Sequence, residues 1–385
     1  MFDHTQYVPI LRWKQAERTA LSQLLPDDRA KVTPLIEFCP KDFATCQGRP
    51  PSAVNEVLSQ YATGMSEDWG EAPVFVDLVH LDKQSPRLRA ENGVHPLVML
   101  AQQIRDRGRP LLPKNGLGLI PVTGLDRSKA YQAALKTVVS TDENGMCVRL
   151  RREDVADSLQ LVERLQLLVD YLKLEPRDVD LFVDLQIIDR SAPSILQLCD
   201  RIPNLHQWRT FTVASGAFPK DLQCFKEVRT HFHERTDWAS WRRQVAEAKN
   251  LPRSPAFSDY TIQHPVYKEP PRQPNFTVSI RYTSGDDWVI MKGECVRNTD
   301  GPGLKQWPGN ALLLSKRPEF CSAAFSPGDR YIYEMGHQTE QTGSATTWLC
   351  AGINHHMTFV ARQIAGLFRP SVALPRGKAT PELSR

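Results

Sequence analysis

Short apolar runs recur along the chain, and between them the apolar residues fall at helical spacing. The clearest run is Asp178-Val-Asp-Leu-Phe-Val-Asp-Leu-Gln-Ile-Ile188, whose Phe182-Val183-Asp184-Leu185 repeats an earlier Phe75-Val76-Asp77-Leu78. Runs of this kind, rich in β-branched and aromatic residues, predict buried strands. Others lie at 7–11, 32–38, 73–80, 118–124, 145–150, 209–215 and 255–260. Helical patterns over 16–25, 54–61, 95–107, 129–139, 158–174, 192–202 and 237–248 separate them.

Strands that alternate with helices predict a parallel α/β fold. Eight strands in roughly 260 residues match a (β/α)8 TIM-like barrel, expected over residues 1–265. A doubly wound open sheet is the alternative. It would carry a glycine-rich phosphate turn after an early strand, and none is present. Past Gln263 the pattern changes: His264-Pro265, Pro270-Pro271 and Pro274 form a proline-rich connector. Residues 266–370 then predict a small α+β appendage, with strands at 277–282 and 288–291, an apolar run at 346–350 and a helix over 357–368. Residues 371–385 predict a flexible tail. The appendage is expected to pack on the barrel and cap its C-terminal mouth.

Composition narrows the function classes. The chain has 385 residues, 41% hydrophobic and 24% charged, which is globular rather than disordered. A net charge of +4 permits an anionic ligand but is no basic stripe, so nucleic acid is only weakly supported as a partner. No apolar run reaches the roughly 18 residues of a membrane span, and the N-terminus lacks the pattern of a signal peptide. Eight scattered cysteines without a Cys-x-x-Cys pair point to reduced thiols in a cytoplasmic protein.

A charge inside a core strand is costly unless it is paired or used. Alternate strand residues share a face, which pairs Leu35 with Glu37, Phe75 with Asp77, Phe182 with Asp184 and Phe257 with Asp259. Cys147, Arg149 and Arg151 likewise share a face, as do Val213 and Ser215. These charges sit late in their strands, towards the mouth that carries active sites in this fold. The predicted site is a ring of Glu37, Asp77, Asp184 and Asp259, facing Lys14, Arg149 and Arg151. The carboxylates would hold Mg²⁺ or Mn²⁺, while Arg149, Lys14, Arg151, Ser215 and Arg281 would bind a phosphorylated ligand. Asp184, Glu37 and Asp77 are the candidate catalytic groups, joined by His355 or His356 as an acid–base group from the appendage. The plainer reading is an ion network that completes the top layer of the barrel. For Asn354-His355-His356 it is a helix N-cap at Asn354, and for Gly328-Asp329 it is a structural turn.

The ordered motifs resemble one family. Tyr7-Val-Pro-Ile-Leu11 with Lys14, Thr33-Pro-Leu-Ile-Glu37, the Phe-Val-Asp strands and Pro219 after Ser215 are similar to the phage-associated "beta protein" family. So are Ile280-Arg-Tyr282 with Trp288, Gly328-Asp329-Arg-Tyr-Ile332, and Trp348 with Asn354-His355-His356, although Pro327 stands where that family is expected to carry Trp. The resemblance spans nearly the whole chain but brings no established activity. It implies phage-borne or anti-phage defence settings and a protein partner encoded nearby. Two functions are therefore expected as alternatives. One is a metal-assisted hydrolase or transferase of a phosphorylated substrate: a nucleotide, a phosphoester or a nucleic-acid end. The other is a non-catalytic sensor or partner-binding component.

Overall fold

The computed structural model describes residues 3–44, 46, 49–85, 87–107, 117–247, 251–268, 276–297, 301–338 and 341–368. The expected tail and the prolines 270, 271 and 274 lie outside the described residues. In chain order the strands are β1 (Ile10–Leu11), β2 (Leu35–Glu37), β3 (Val74–Asp77), β4 (Leu119–Thr123), β5 (Met146–Arg151) and β6 (Val179–Ile187). They continue as β7 (Thr210–Gly216), β8 (Thr230–Glu234), β9 (Ala256–Ser258), β10 (Thr277–Ser284) and β11 (Asp287–Cys295).

Strands β1 to β7 and β9 form one parallel sheet in sequence order. Its two edges meet: Val8 N–H donates to Phe257 O at 3.0 Å, and Ile10 N–H donates to Asp259 O at 2.8 Å. These bonds give the TIM-like barrel that the alternating pattern predicts, and they remove the open-sheet alternative. Inside, Val8, Ile10, Leu35, Phe75, Ile120, Val122, Cys147, Phe182, Ala214, Ala256 and Tyr260 form a packed layer. The outward strand residues meet the helices in a larger core.

Two inward assignments were on the wrong face. Phe257 points outward, its ring 5.2 Å from Trp238 and 5.3 Å from Trp241, and it carries Asp259 to the same side. The helix layer offers the Trp238 and Trp241 rings as packing partners there, and the interior takes Ala256 and Tyr260 instead. On β7, Val213 lies in the outer core and Ala214 in the inner one, so Ser215 also faces outward. Alternation gives two faces but does not label them.

The appendage differs more. Strands β10, β11 and β8 make an antiparallel sheet, so the segment after β7 lends it a strand that the pattern had not revealed. The predicted helix over 357–368 is the end of one helix, Ala345–Leu367, which absorbs the apolar run at 346–350. Its N-cap is Ser344, whose Oγ accepts from Thr347 N–H at 3.2 Å. Asn354 therefore sits in mid-helix and caps nothing. Its Nδ2 donates to Ala20 O at 2.9 Å and its Oδ1 accepts from Gly328 N–H at 2.8 Å. Gly328-Asp329 opens the helix Pro327–His337 rather than a turn, with Ser326 as N-cap.

Helix Ala345–Leu367 packs its Ile353, Met357, Val360 and Ile364 into the barrel core beside Tyr7, Ala20 and Leu21. It thereby covers the seam between β9 and β1, where the eighth helix of such a barrel belongs. Close approach is built in. A Cβ at Gly352 would stand 2.6 Å from Arg281 O, and one at Gly328 would stand 2.2 Å from Ala351 O.

Candidate functional site at the barrel mouth

Glu37 and Asp77 end β2 and β3, and Arg149 and Asp184 lie on β5 and β6, all facing the barrel axis at its C-terminal end. They meet around Arg149. Its Nη1 donates to Glu37 at 2.7 Å and to Asp77 at 2.9 Å, while Nε and Nη2 donate to Asp184 at 3.0 and 2.6 Å. Tyr260 O–H donates to Asp184 at 2.7 Å, and Arg151 donates to the same carboxylate. Arg127 reaches both oxygens of Asp77 at 3.1 and 3.2 Å. Arg149, Asp77 and Asp184 are at most 1% exposed.

Charge pairing overrides burial here. Desolvation pushes the Glu37 carboxyl up, but Arg149, the His80 contact and Arg12 bring it well below its usual range. Asp184 is lowered in the same way: burial opposes, and Arg149 and Arg151 win. Burial would lower Arg149, but Asp184 and Glu37 hold it protonated, above its ordinary value.

At the rim, His80 Nε2 lies 3.4 Å from Glu37 and Arg12 Nε lies 4.0 Å from it. The Tyr267 ring sits 5.3 Å from the Arg12 guanidinium, 4.9 Å from Lys14 Nζ and 5.4 Å from the His80 ring. Glu17 shapes this edge. Its carboxylate accepts from Arg12 N–H at 2.9 Å, Lys14 N–H at 3.0 Å and Gln263 Nε2 at 2.5 Å.

The structure thus joins Glu37, Asp77, Asp184, Arg149 and Arg151, with Lys14 at the rim. Asp259, His355, His356, Ser215 and Arg281 are not in this ring. Asp259 lies on the outer seam, accepting from Tyr7 O–H at 2.5 Å and facing His356 Nε2 at 2.9 Å. His356 Nδ1 faces Thr283 Oγ1 at 2.7 Å, and His355 spans Asp329 at 2.8 Å and Thr283 O at 2.7 Å. Both histidines are fully buried between helix and sheet, because the helix that carries them lies along the barrel wall. Arg281 donates to Ile262 O at 3.0 Å. The expected cap over the mouth is therefore replaced by a brace along its side.

Four residues at the mouth escaped the sequence reading: Arg12, His80, Arg127 and Tyr260. Each follows the end of a barrel strand by no more than four residues, the zone where this fold carries its working side chains. That positional rule would have found them.

Mg²⁺ or Mn²⁺ would need several of these carboxylate oxygens. The donor set does not fit as arranged, since the Arg149 guanidinium fills the space between the three carboxylates. Among the described residues, no group of three or more His, Cys, Asp or Glu side chains is placed to hold a metal ion. At the opposite end of the barrel a cavity of about 650 Å³ is bordered by Thr5, Arg29, Thr33, Asn144, Asp180 and Arg209. Arg209 there is bound to Asp180 at 3.0 and 2.6 Å, and that end of the fold generally serves stability.

No helix among the described residues is long and apolar enough to cross a membrane. No curated protein matches the chain. The family model described as Beta protein matches residues 7–362, from the start of the barrel through most of the helix that seals it, and the chain belongs to that family.

Proposed function

We propose that the barrel mouth binds a phosphorylated small molecule, with side-chain cations rather than a metal supplying the charge. The carrying observation is an excess of donors. Glu37, Asp77 and Asp184 face the guanidinium groups of Arg12, Arg127, Arg149 and Arg151, with Asp126 also on Arg127 and Glu17 beside Arg12, yet donors are left over. Arg12 Nε and Arg127 Nε are buried without an acceptor. An unpaired buried donor costs about 1–3 kcal/mol; both atoms are sealed, so they mark surplus positive charge, and a phosphate would meet the exposed cations beside them. Arg149 itself is saturated, so its role is to hold the ring rigid. Lys14 and Arg151 are the partly exposed cations that would meet the ligand.

Hydrolysis of a phosphoester would need a proton for the leaving oxygen. His80, only partly buried and 3.4 Å from Glu37, is the group this reading assigns to give it. The saturation of Arg149 also favours a second reading, in which the mouth recognises such a ligand without turning it over. Eight scattered cysteines without a Cys-x-x-Cys pair fit a reducing, cytoplasmic setting for either.

Titration calorimetry with pyrophosphate, in EDTA and again in Mg²⁺, tests the proposal. Binding in EDTA, weakened about tenfold (about 1.4 kcal/mol) by Lys14→Ala or Arg151→Gln, is expected. Absence of binding, or binding that needs Mg²⁺, overturns it. Turnover of a model phosphoester that is lost in His80→Gln while pyrophosphate binding persists selects the hydrolase, and no turnover by the wild type selects recognition.

A further inference from the structure

Arg281 was expected at the mouth, and its actual surroundings point elsewhere. It lies on the face of β10 that also carries Thr277 and Ser279, opposite the face whose Val278, Ile280 and Tyr282 fill the second core. With them it borders a cavity of about 160 Å³ walled by Ile262, Phe276, Trp307 and Trp348. The aromatic walls form a column: Phe276 stacks on Trp307 at 5.9 Å, and Trp307 stacks on Trp348 at 6.1 Å. The Arg281 guanidinium is held over the Phe218 ring at 4.9 Å and gives one hydrogen bond, from Nη1 to Ile262 O at 3.0 Å. Among the described residues its Nε and Nη2 have no acceptor, and they are not among the sealed polar atoms there.

No carboxylate faces this guanidinium among the described residues. Arg149, by contrast, has Glu37, Asp77 and Asp184, Arg127 has Asp77, and Arg209 has Asp180. Burial with no opposing charge brings Arg281 down to about 10, still protonated at neutral pH. A cation kept in an apolar, aromatic-walled recess without a counter-ion is expensive. A guanidinium fork matches the two oxygens of a carboxylate. The space also suits a single ring, because a cavity of roughly 150 Å³ is enough to take benzene.

We infer that this cavity is a binding site for a small aromatic carboxylate, with the ring between Phe276, Trp307 and Trp348 and the carboxylate on Nε and Nη2 of Arg281. The site is independent of the barrel mouth. It lies between β10, the helix Gln306–Ser315 and the start of the helix Ala345–Leu367, so its occupancy would tie the sheet of the appendage to the helix that closes the barrel.

Titration calorimetry with benzoate and with its neutral isostere benzamide tests it on the full chain. Benzoate should bind at least about tenfold more tightly, equal to about 1.4 kcal/mol, and Arg281→Met should erase that difference. Equal affinity for the two compounds, or an unchanged preference in Arg281→Met, overturns the inference. Should Arg281→Met not fold, Ser279→Leu decides. It keeps the guanidinium and fills the cavity, so benzoate binding must be lost, and its retention overturns the site. Saturating pyrophosphate should leave benzoate binding unchanged, and displacement would place the carboxylate at the mouth and overturn the assignment.

Discussion

The barrel mouth and the outer seam are both buried polar networks, yet they are built from opposite chemistry. At the mouth, arginines with fixed charge meet three carboxylates. At the seam, Asp259 faces the neutral-leaning His356, whose pKa burial lowers against the pull of Asp259. Nearby Arg235 is buried with Nε and Nη2 unpaired, and Asp237 is pushed up to about 7 by burial and by Asp259. The mouth is thus electrostatically complete in its centre and open at its rim. The seam is under-compensated, and its Asp237 is the group brought near neutrality. A barrel can hold charge in its interior when pairing is dense, whereas a helix docked on its wall tolerates groups that can shed charge.

The contrast is broken most directly at Arg149. Arg149→Met strands Glu37, Asp77 and Asp184 together and should cost about 3–5 kcal/mol or more in denaturant unfolding. A loss under about 1 kcal/mol would mean the ring is not what holds the mouth. Asp259→Asn at the seam should cost less, about 1–3 kcal/mol, because it leaves Tyr7 and His356 with a weaker acceptor and creates no uncompensated charge cluster.

The smallest effect is the sharpest in sign. Asp237 ionises near ~3.9 when unfolded but near 7 in the fold. The native state therefore binds its proton more tightly, and that stability is full below about pH 4 and lost as pH rises to about 7. His356 acts oppositely. Its folded value is depressed, so stability falls as pH drops below the unfolded value of about 6.5. The depressed Glu37 and Asp184 contribute stability that is lost only as pH falls below about 4. Asp237→Asn should therefore shrink the stability lost between about pH 5 and about pH 8 without abolishing it, because burial also raises Glu17 and Asp142. An alkaline-side loss as large as the wild type's would mean Asp237 is not its source.

The barrel itself was legible because each strand is a short apolar run and each helix a 3.6-residue pattern, both written locally. Glu37, Asp77, Arg149 and Asp184 could be named for the same reason: a charge in a core strand is conspicuous, and strand alternation put each of them beside an inward apolar residue. Asp259 and Ser215 carry the same signal and face the other way. That choice depended on which side had room for Phe257 and Val213, a matter of neighbours far along the chain. The strand Thr230–Glu234 was invisible because its pairing with β11 lies outside its own sequence, and its exposed Phe232 offers no buried face. The histidine pair could be seen but not placed, since a helix pattern does not say what the helix packs against. The sequence alone determined the elements and the residues that had to find partners. The tertiary structure decided which partners they found, because a buried charge is settled by whatever counter-charge and volume the rest of the chain brings to it.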